Sequence, residues 1–241
     1  MIETLAALLL AHVLADFVFQ TQWMVTHKRG AAALAAHSAI VFGTAIVATG
    51  ALDWGLVWLA AIHAAIDAMK ARTRRGLGVF LADQATHLVT LATLALWRPQ
   101  LWTDGVWAGQ SLLPGLMLLV AGAILATRAG GFAIGLLMAP FAAMLPVAIS
   151  AESLPGAGRV IGHLERGLIF ALVLLGHPEG VGLLIAAKSI LRFGAVRDDR
   201  ALSEYVIIGT LASVAWAILV GYGTVCGLAM LPPLGFPPAT P

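Results

Sequence analysis

Two apolar stretches carry a histidine and an aspartate four residues apart. "LLLAHVLADFVFQTQW" at 8–23 holds His12 and Asp16, and "AAIHAAID" at 60–67 holds His63 and Asp67. "DQATH" holds Asp83 and His87 in the reverse order. Residues four apart share one face of a helix. Ionisable groups inside apolar helices are costly, and they face an interior or a cavity. Imidazole and carboxylate together suit zinc, iron or manganese. A carboxylate one turn away can also orient an imidazole. One such pair is often only a hydrogen-bonded contact between helices. Three pairs plus His37, at one depth, favour a site.

The elements that position these groups are long and apolar. Of the 241 residues, 60% are hydrophobic and 11% charged, with a mean hydropathy of +0.94. Soluble domains carry about 25% charged residues. The expected fold class is all-α, a polytopic transmembrane helical bundle of eight or nine segments. These run roughly over 3–20, 31–49, 54–71, 79–97, 111–126, 131–149, 159–176, 180–193 and 203–230. The stretch 180–193 is short enough to be re-entrant. Barrel strands would alternate with period two, and these runs are continuous. Four regions are expected: 1–97 with the His/Asp pairs, a two-helix middle at 98–157, a C-terminal membrane half at 158–230 and a proline-rich tail at 231–241. The first segment lacks the basic start and small-residue cleavage site of a signal peptide. Cys226 is the single cysteine, so an intrachain disulfide is excluded.

The net charge is +2, and the basic residues sit at the ends of apolar runs, where they anchor helices and do not imply nucleic acid. Lys28, Arg29, Lys70, Arg72, Arg74, Arg75 and Arg128 follow the first, third and fifth segments. The loops at 50–53 and 98–110 hold only Arg98. The positive-inside rule therefore places the N-terminus outside. Alternating chain direction then brings His12, Asp16, His37, His63, Asp67, Asp83 and His87 to one depth on four helices.

Lys70 and Arg72 follow Asp67 closely, and are either cytoplasmic anchors or the holders of an anionic headgroup. Gln84 is read as pointing elsewhere on its helix. A second charged cluster comprises Glu165, Arg166, Lys188, Arg192 and Glu204. Lys188 and Arg192 share a face, with Glu165 or Glu204 as the expected partner of Lys188. This cluster is either a structural ion-pair network or an anion site.

"LLLAHVLADFVFQTQWMVTHKR", "HAAIDAMK" and "DQATH", with the later "GRVIGHLERGLIF", "IAAKSILRFG" and "EYVIIGTLAS", resemble the bacterial integral-membrane domain-of-unknown-function family numbered three-three-zero-seven. The motifs cover roughly 1–97 and 158–215. The resemblance implies a bacterial inner-membrane protein and supplies no catalytic residue. The His/Asp pattern is also loosely similar to membrane-bound metal-dependent hydrolases.

The first expectation is a metal-dependent hydrolase acting on a lipid or another amphiphile at the cytoplasmic leaflet. His12, Asp16, His63, Asp67 and His87 would ligate or orient a divalent ion, zinc before iron or manganese. His37 and Asp83 are the catalytic candidates, with His37 also suited to ligation. Lys70 and Arg72 would hold the substrate. Membrane lipids are the expected partners, and a homo-oligomer is compatible with the sequence. An ion-coupled carrier using the cluster as a proton or cation site is the second reading. A bis-histidine haem protein is the third, and a structural or partner-binding membrane protein the last.

Overall fold

A computed structural model describes residues 1–73, 76–144, 156–196 and 200–235, without the side chains of 191–196. The described elements are helical. They are α1 (Ile2–Leu14) ending in a π-helical turn (Ala15–Phe19), the short α2 (Gln22–Thr26), α3 (Ala31–Thr49), α4 (Trp54–Lys70) and α5 (Leu77–Trp97). After a 3-10 turn (Pro99–Leu101) come α6 (Leu113–Ile124), a second π turn (Leu125–Ala129) and α7 (Gly130–Ala142). The chain continues with α8 (Ala157–Leu174), α9 (Glu179–Val196) and α10 (Arg200–Leu228).

Five helical stretches are long and apolar enough to cross a membrane: Ile2–Phe19, Ala31–Thr49, Leu77–Trp97, Leu113–Ala142 and Arg200–Leu228. The eight or nine expected segments were too many, for three physical reasons. The "TRAGG" stretch passes from a π turn into α7 within one 30-residue helical run and is not a break between two spans. At 17 residues, α4 is shorter than the roughly 20 of a typical span. The helices α8 and α9 each carry three charged residues: Arg159, Glu165 and Arg166 in one, Glu179, Lys188 and Arg192 in the other. Arg74 and Arg75, used for orientation, lie outside the described residues, as do 236–241 of the tail.

The chain divides into two compact units. The first is Met1–Ile124 with Cys226–Gly235, and the second includes Leu125–Val225, so the boundary falls inside the 98–157 stretch.

In the first unit, α1 packs against α3, α5 and α6, and α4 packs against α3 and α5. The buried residues of each helix follow one stripe. In α3 these are Ala33, His37, Val41, Ala45 and Ala48; in α4 they include Leu56, Leu59, His63 and Asp67. In α5 they include Asp83, His87, Leu91 and Leu94. The same faces thus bury apolar groups at one end of the bundle and ionisable groups at the other. Ala7, Leu8, Ala45, Leu56, Leu59, Leu94, Leu101 and Trp102 form the apolar end.

A loop closes that end. The Thr4 hydroxyl donates to Pro99 O at 3.0 Å, and Trp107 Nε1 donates to Val47 O at 2.9 Å. Asp53 caps α4 by accepting from Gly55 N at 2.7 Å and also pairs with Arg98. Gly50 ends α3 in the left-handed region at φ 68°. Gly105 lies so close to the end of α3 that a Cβ there would stand 2.2 Å from Thr49 O. Gly105→Ala should therefore cost about 1–3 kcal/mol of stability through backbone displacement. A Cβ on Gly109 meets nothing within 4 Å, so Gly109→Ala should be neutral. Thermal unfolding of the two variants in detergent checks the contrast.

Candidate metal centre

The seven groups read from spacing on the first four long helices meet in the first unit. His12, His37, His63 and His87 are 2–3% exposed, Asp67 is 2% and Asp83 is 6%. Among the described residues, three sets of donor atoms lie within 4.8 Å of one another. They are His12 with His63 and His87, Asp16 with His37 and His63, and Asp67 with Asp83 and His87.

The tightest group converges on one point. His37 Nε2 lies 3.1 Å from His63 Nε2, and Asp16 Oδ1 lies 3.3 Å from each of them. Asp67 Oδ2 lies 3.5 Å from His37 Nε2 and 3.9 Å from His63 Nε2. Four donors on tetrahedral arms of about 2.0–2.2 Å stand about 3.3–3.6 Å apart. The distances from Asp16 and from Asp67 to His37 fall in or at that range. The His37–His63 edge is slightly shorter, and the Asp67–His63 edge slightly longer.

Local backbone explains how Asp16 reaches this point. It sits in the π turn Ala15–Phe19, which closes on i→i+5 bonds and changes the phase of the helix. Its carboxylate meets His37 and His63, while His12, one turn earlier, approaches Gln84 Oε1 at 3.3 Å through Nε2. His87 stacks on His63 with ring centroids 4.1 Å apart. His87 Nε2 stands 3.6 Å from Asp83 Oδ1. The imidazoles of His12, His63 and His87 border a small cavity of about 10 Å³, closed beyond by Val41, Leu59 and Leu91.

Two lysines balance the buried carboxylates. Lys28 Nζ binds Asp67 Oδ1 at 2.7 Å, and Lys70 Nζ binds Asp83 Oδ2. Gln84 Nε2 donates to Asp83 Oδ2 at 3.1 Å and reaches Asp16 Oδ2 at 3.5 Å. Gln84 therefore faces the cluster, against expectation: the π turn brings Asp16 across to α5, and a long amide spans the gap. Lys28 is a further participant that sequence reasoning took only for an anchor. Its signal, a lysine just outside an apolar helix, is shared by most anchoring residues. Lys70 is engaged by Asp83. Arg72 lines a cavity of about 380 Å³ with Lys28, Arg29, Leu34, Ala68 and Ala71.

The second charged cluster lies in the second unit and divides. Lys188 Nζ binds Glu165 Oε2 at 2.7 Å, the first of its two expected partners. Glu204 pairs instead with Arg200 on an exposed turn at 2.9 Å. Arg166 is buried and donates to Ala126 O, Thr127 O and the Ser213 hydroxyl at 3.0–3.3 Å. Glu165, Arg166 and Lys188 border a cavity of about 410 Å³. The Arg192 side chain lies outside the described residues.

Asp67 depends on Lys28 for charge balance. In metal-free protein, Lys28→Met should cost about 2–3 kcal/mol, less than the roughly 3–5 kcal/mol for a fully buried pair, because the lysine side chain is 19% exposed. Asp67→Asn in the same background should restore most of the loss. Unfolding midpoints of the single and double variants, measured in chelator, test the pairing.

No curated protein and no solved structure matches the chain. Residues 4–106 match the model of a family described as protein of unknown function (DUF3307). The block at 158–215 lies beyond that match. The resemblance read from the motifs thus holds over the segment that bears all seven histidines and aspartates of the cluster.

Proposed function

We propose that the chain is a membrane-embedded, metal-dependent hydrolase of the bacterial inner membrane, acting on an amphiphile with an anionic headgroup. The observation that carries this reading is the convergence of Asp16 Oδ1, His37 Nε2, His63 Nε2 and Asp67 Oδ2 at ligand-edge distances. Neutral imidazole and carboxylate are the donors that zinc, iron and manganese accept. An ion held there lowers the pKa of its water to about 7 and stabilises charge developing on the substrate. His12, with Nδ1 unpartnered and Nε2 against Gln84, is placed to take a proton. His37, a candidate base by sequence, fits better among the ligands.

The headgroup role passes from Lys70 to the cavity that Lys28, Arg29 and Arg72 border. Phe19, Trp23 and Met69 are exposed on the neighbouring segments, as suits a surface at the lipid–water boundary, where tryptophan is enriched. With the N-terminus periplasmic, this mouth opens at the cytoplasmic leaflet.

The apolar end argues against a carrier built on the same cluster. Leu8, Leu56, Leu94 and Leu101 are 0–1% exposed, and they fill the bundle where a through-path would have to run.

The test is metal analysis and an absorption spectrum of protein purified without chelator, followed by hydrolysis assays on anionic lipids. Zinc, iron or manganese without a Soret band is expected. His63→Ala should lose both metal and activity while staying monodisperse. His12→Ala should keep metal and lose about 10²–10⁴-fold in kcat. Wild-type protein that takes up no metal when supplied with it, or His63→Ala protein with full metal, overturns the reading.

A further inference from the structure

We infer that the cluster is a two-metal centre, with Asp16, His37 and His63 holding one divalent ion and Asp67, Asp83 and His87 holding a second. This rests on the metal reading above and goes beyond it in assigning a second site.

The two donor sets share no residue, and each is compact within 4.8 Å. One ion cannot use all six donors without abandoning the short distances around His37 and His63. The second set has its own inward-facing valences. Asp67 Oδ2, Asp83 Oδ1 and His87 Nε2 are buried and have no hydrogen-bond partner. His87 Nε2 and Asp83 Oδ1 stand 3.6 Å apart, too far for a good hydrogen bond and near the edge of a ligand tetrahedron.

The outer oxygens of both aspartates are held away from this point. Lys28 holds Asp67 Oδ1, while Lys70 and Gln84 hold Asp83 Oδ2. Each carboxylate therefore has one oxygen fixed by a cation and the other buried without a hydrogen-bond partner. Supporting groups outside the ligands of a metal site act in this way, fixing the ligand and tuning its charge.

Asp67 also joins the two sets. Its Oδ2 lies 3.5 Å from His37 Nε2 while belonging to the group with Asp83 and His87. A carboxylate between two donor sets suits a bridging ligand, and two-metal centres place their ions about 3.5–4 Å apart. Three carboxylates against two lysines leave one net negative charge in the metal-free cluster. Two divalent ions turn it positive, which suits an anionic substrate arriving through the basic cavity of Lys28, Arg29 and Arg72.

The test is a titration of chelator-stripped, full-length protein in detergent with Mn²⁺, counting bound equivalents and recording the electron paramagnetic resonance spectrum. The wild type should bind two equivalents and show exchange coupling between neighbouring ions. Asp83→Asn should bind one equivalent, without coupling, and His37→Ala should likewise lose one. Should Asp83→Asn fail to stay monodisperse, His87→Gln serves in its place, with the same loss expected. One equivalent in the wild type overturns the second site and leaves the one-metal hydrolase standing. Two equivalents in both Asp83→Asn and His87→Gln overturn the assignment of ligands. No binding in the wild type removes the metal reading as a whole.

Discussion

A carboxylate taken out of water must be answered by a cation or by donors, and in the first unit three of them are buried at one level. Everything near them follows from that demand. Lys28, just after α2, and Lys70, the last residue of α4, reach inward to Asp67 and Asp83. Gln84 spreads its amide between Asp83, Asp16 and His12. These contacts satisfy the outer oxygens of Asp67 and Asp83, so the inner ones have only imidazoles nearby. A buried ion pair is weak evidence for stability, since apolar replacements often stabilise as well or better. Keeping so many charges in a small unit makes better physical sense where the bare inner atoms have a use.

The bundle assigns its two ends different tasks with one set of helix faces. On α3 and α4 the stripe that buries His37, His63 and Asp67 continues into Ala45, Ala48, Leu56 and Leu59. Because consecutive helices run in opposite directions, the ionisable residues fall late in α1 and α4 and early in α3 and α5. The apolar end is capped by the loop around Pro99, Trp102 and Trp107. The cluster is thus closed by apolar packing on one side, while the basic residues Lys28, Arg29 and Arg72 border a cavity beside the end of α4.

The i,i+4 spacing of His12/Asp16, His63/Asp67 and Asp83/His87 made the cluster legible, because helical phase and alternating chain direction are both readable from sequence. Gln84 was not legible: adjacent positions on a helix point apart, but its long amide turns back to Asp83 and reaches His12 and Asp16 on α1 and its π turn. Lys28 was hidden for another reason, since a lysine outside an apolar run looks the same whether it meets headgroups or turns back to a carboxylate. The number of spans was overstated because Gly and Arg in "TRAGG" resemble a loop, whereas the chain passes through them as the end of a π turn and the start of α7. The same composition permits both, and only the carbonyl partners supplied from elsewhere decide.

Those partners mark the difference between the two charged clusters. In the second unit Arg166 is buried like Asp67 and Asp83 of the first, yet its guanidinium is answered by Ala126 O, Thr127 O and Ser213. Gly131 and Gly162 leave room for it, since a Cβ on either would stand 3.0–3.2 Å from its terminal nitrogens. Lys188 and Glu165 answer each other. That pattern is a structural solution, a cation tying a π turn to two helices. In the first unit the accounting does not close within the protein. His12 Nδ1, Asp16 Oδ1, His37 Nδ1, Asp67 Oδ2, Asp83 Oδ1 and His87 Nε2 are the buried side-chain atoms left without a hydrogen bond among the described residues, and all six belong to this one cluster. Buried polar groups are paired in native proteins with few exceptions, and the proposed ion would answer this concentration of unpaired ones. Helix–helix contact alone would pair these atoms with one another, because the same histidines and aspartates are within reach. The donor atoms of Asp16, His37, His63 and Asp67 stand 3.1–3.9 Å apart, spacings that fit the proposed shared ion.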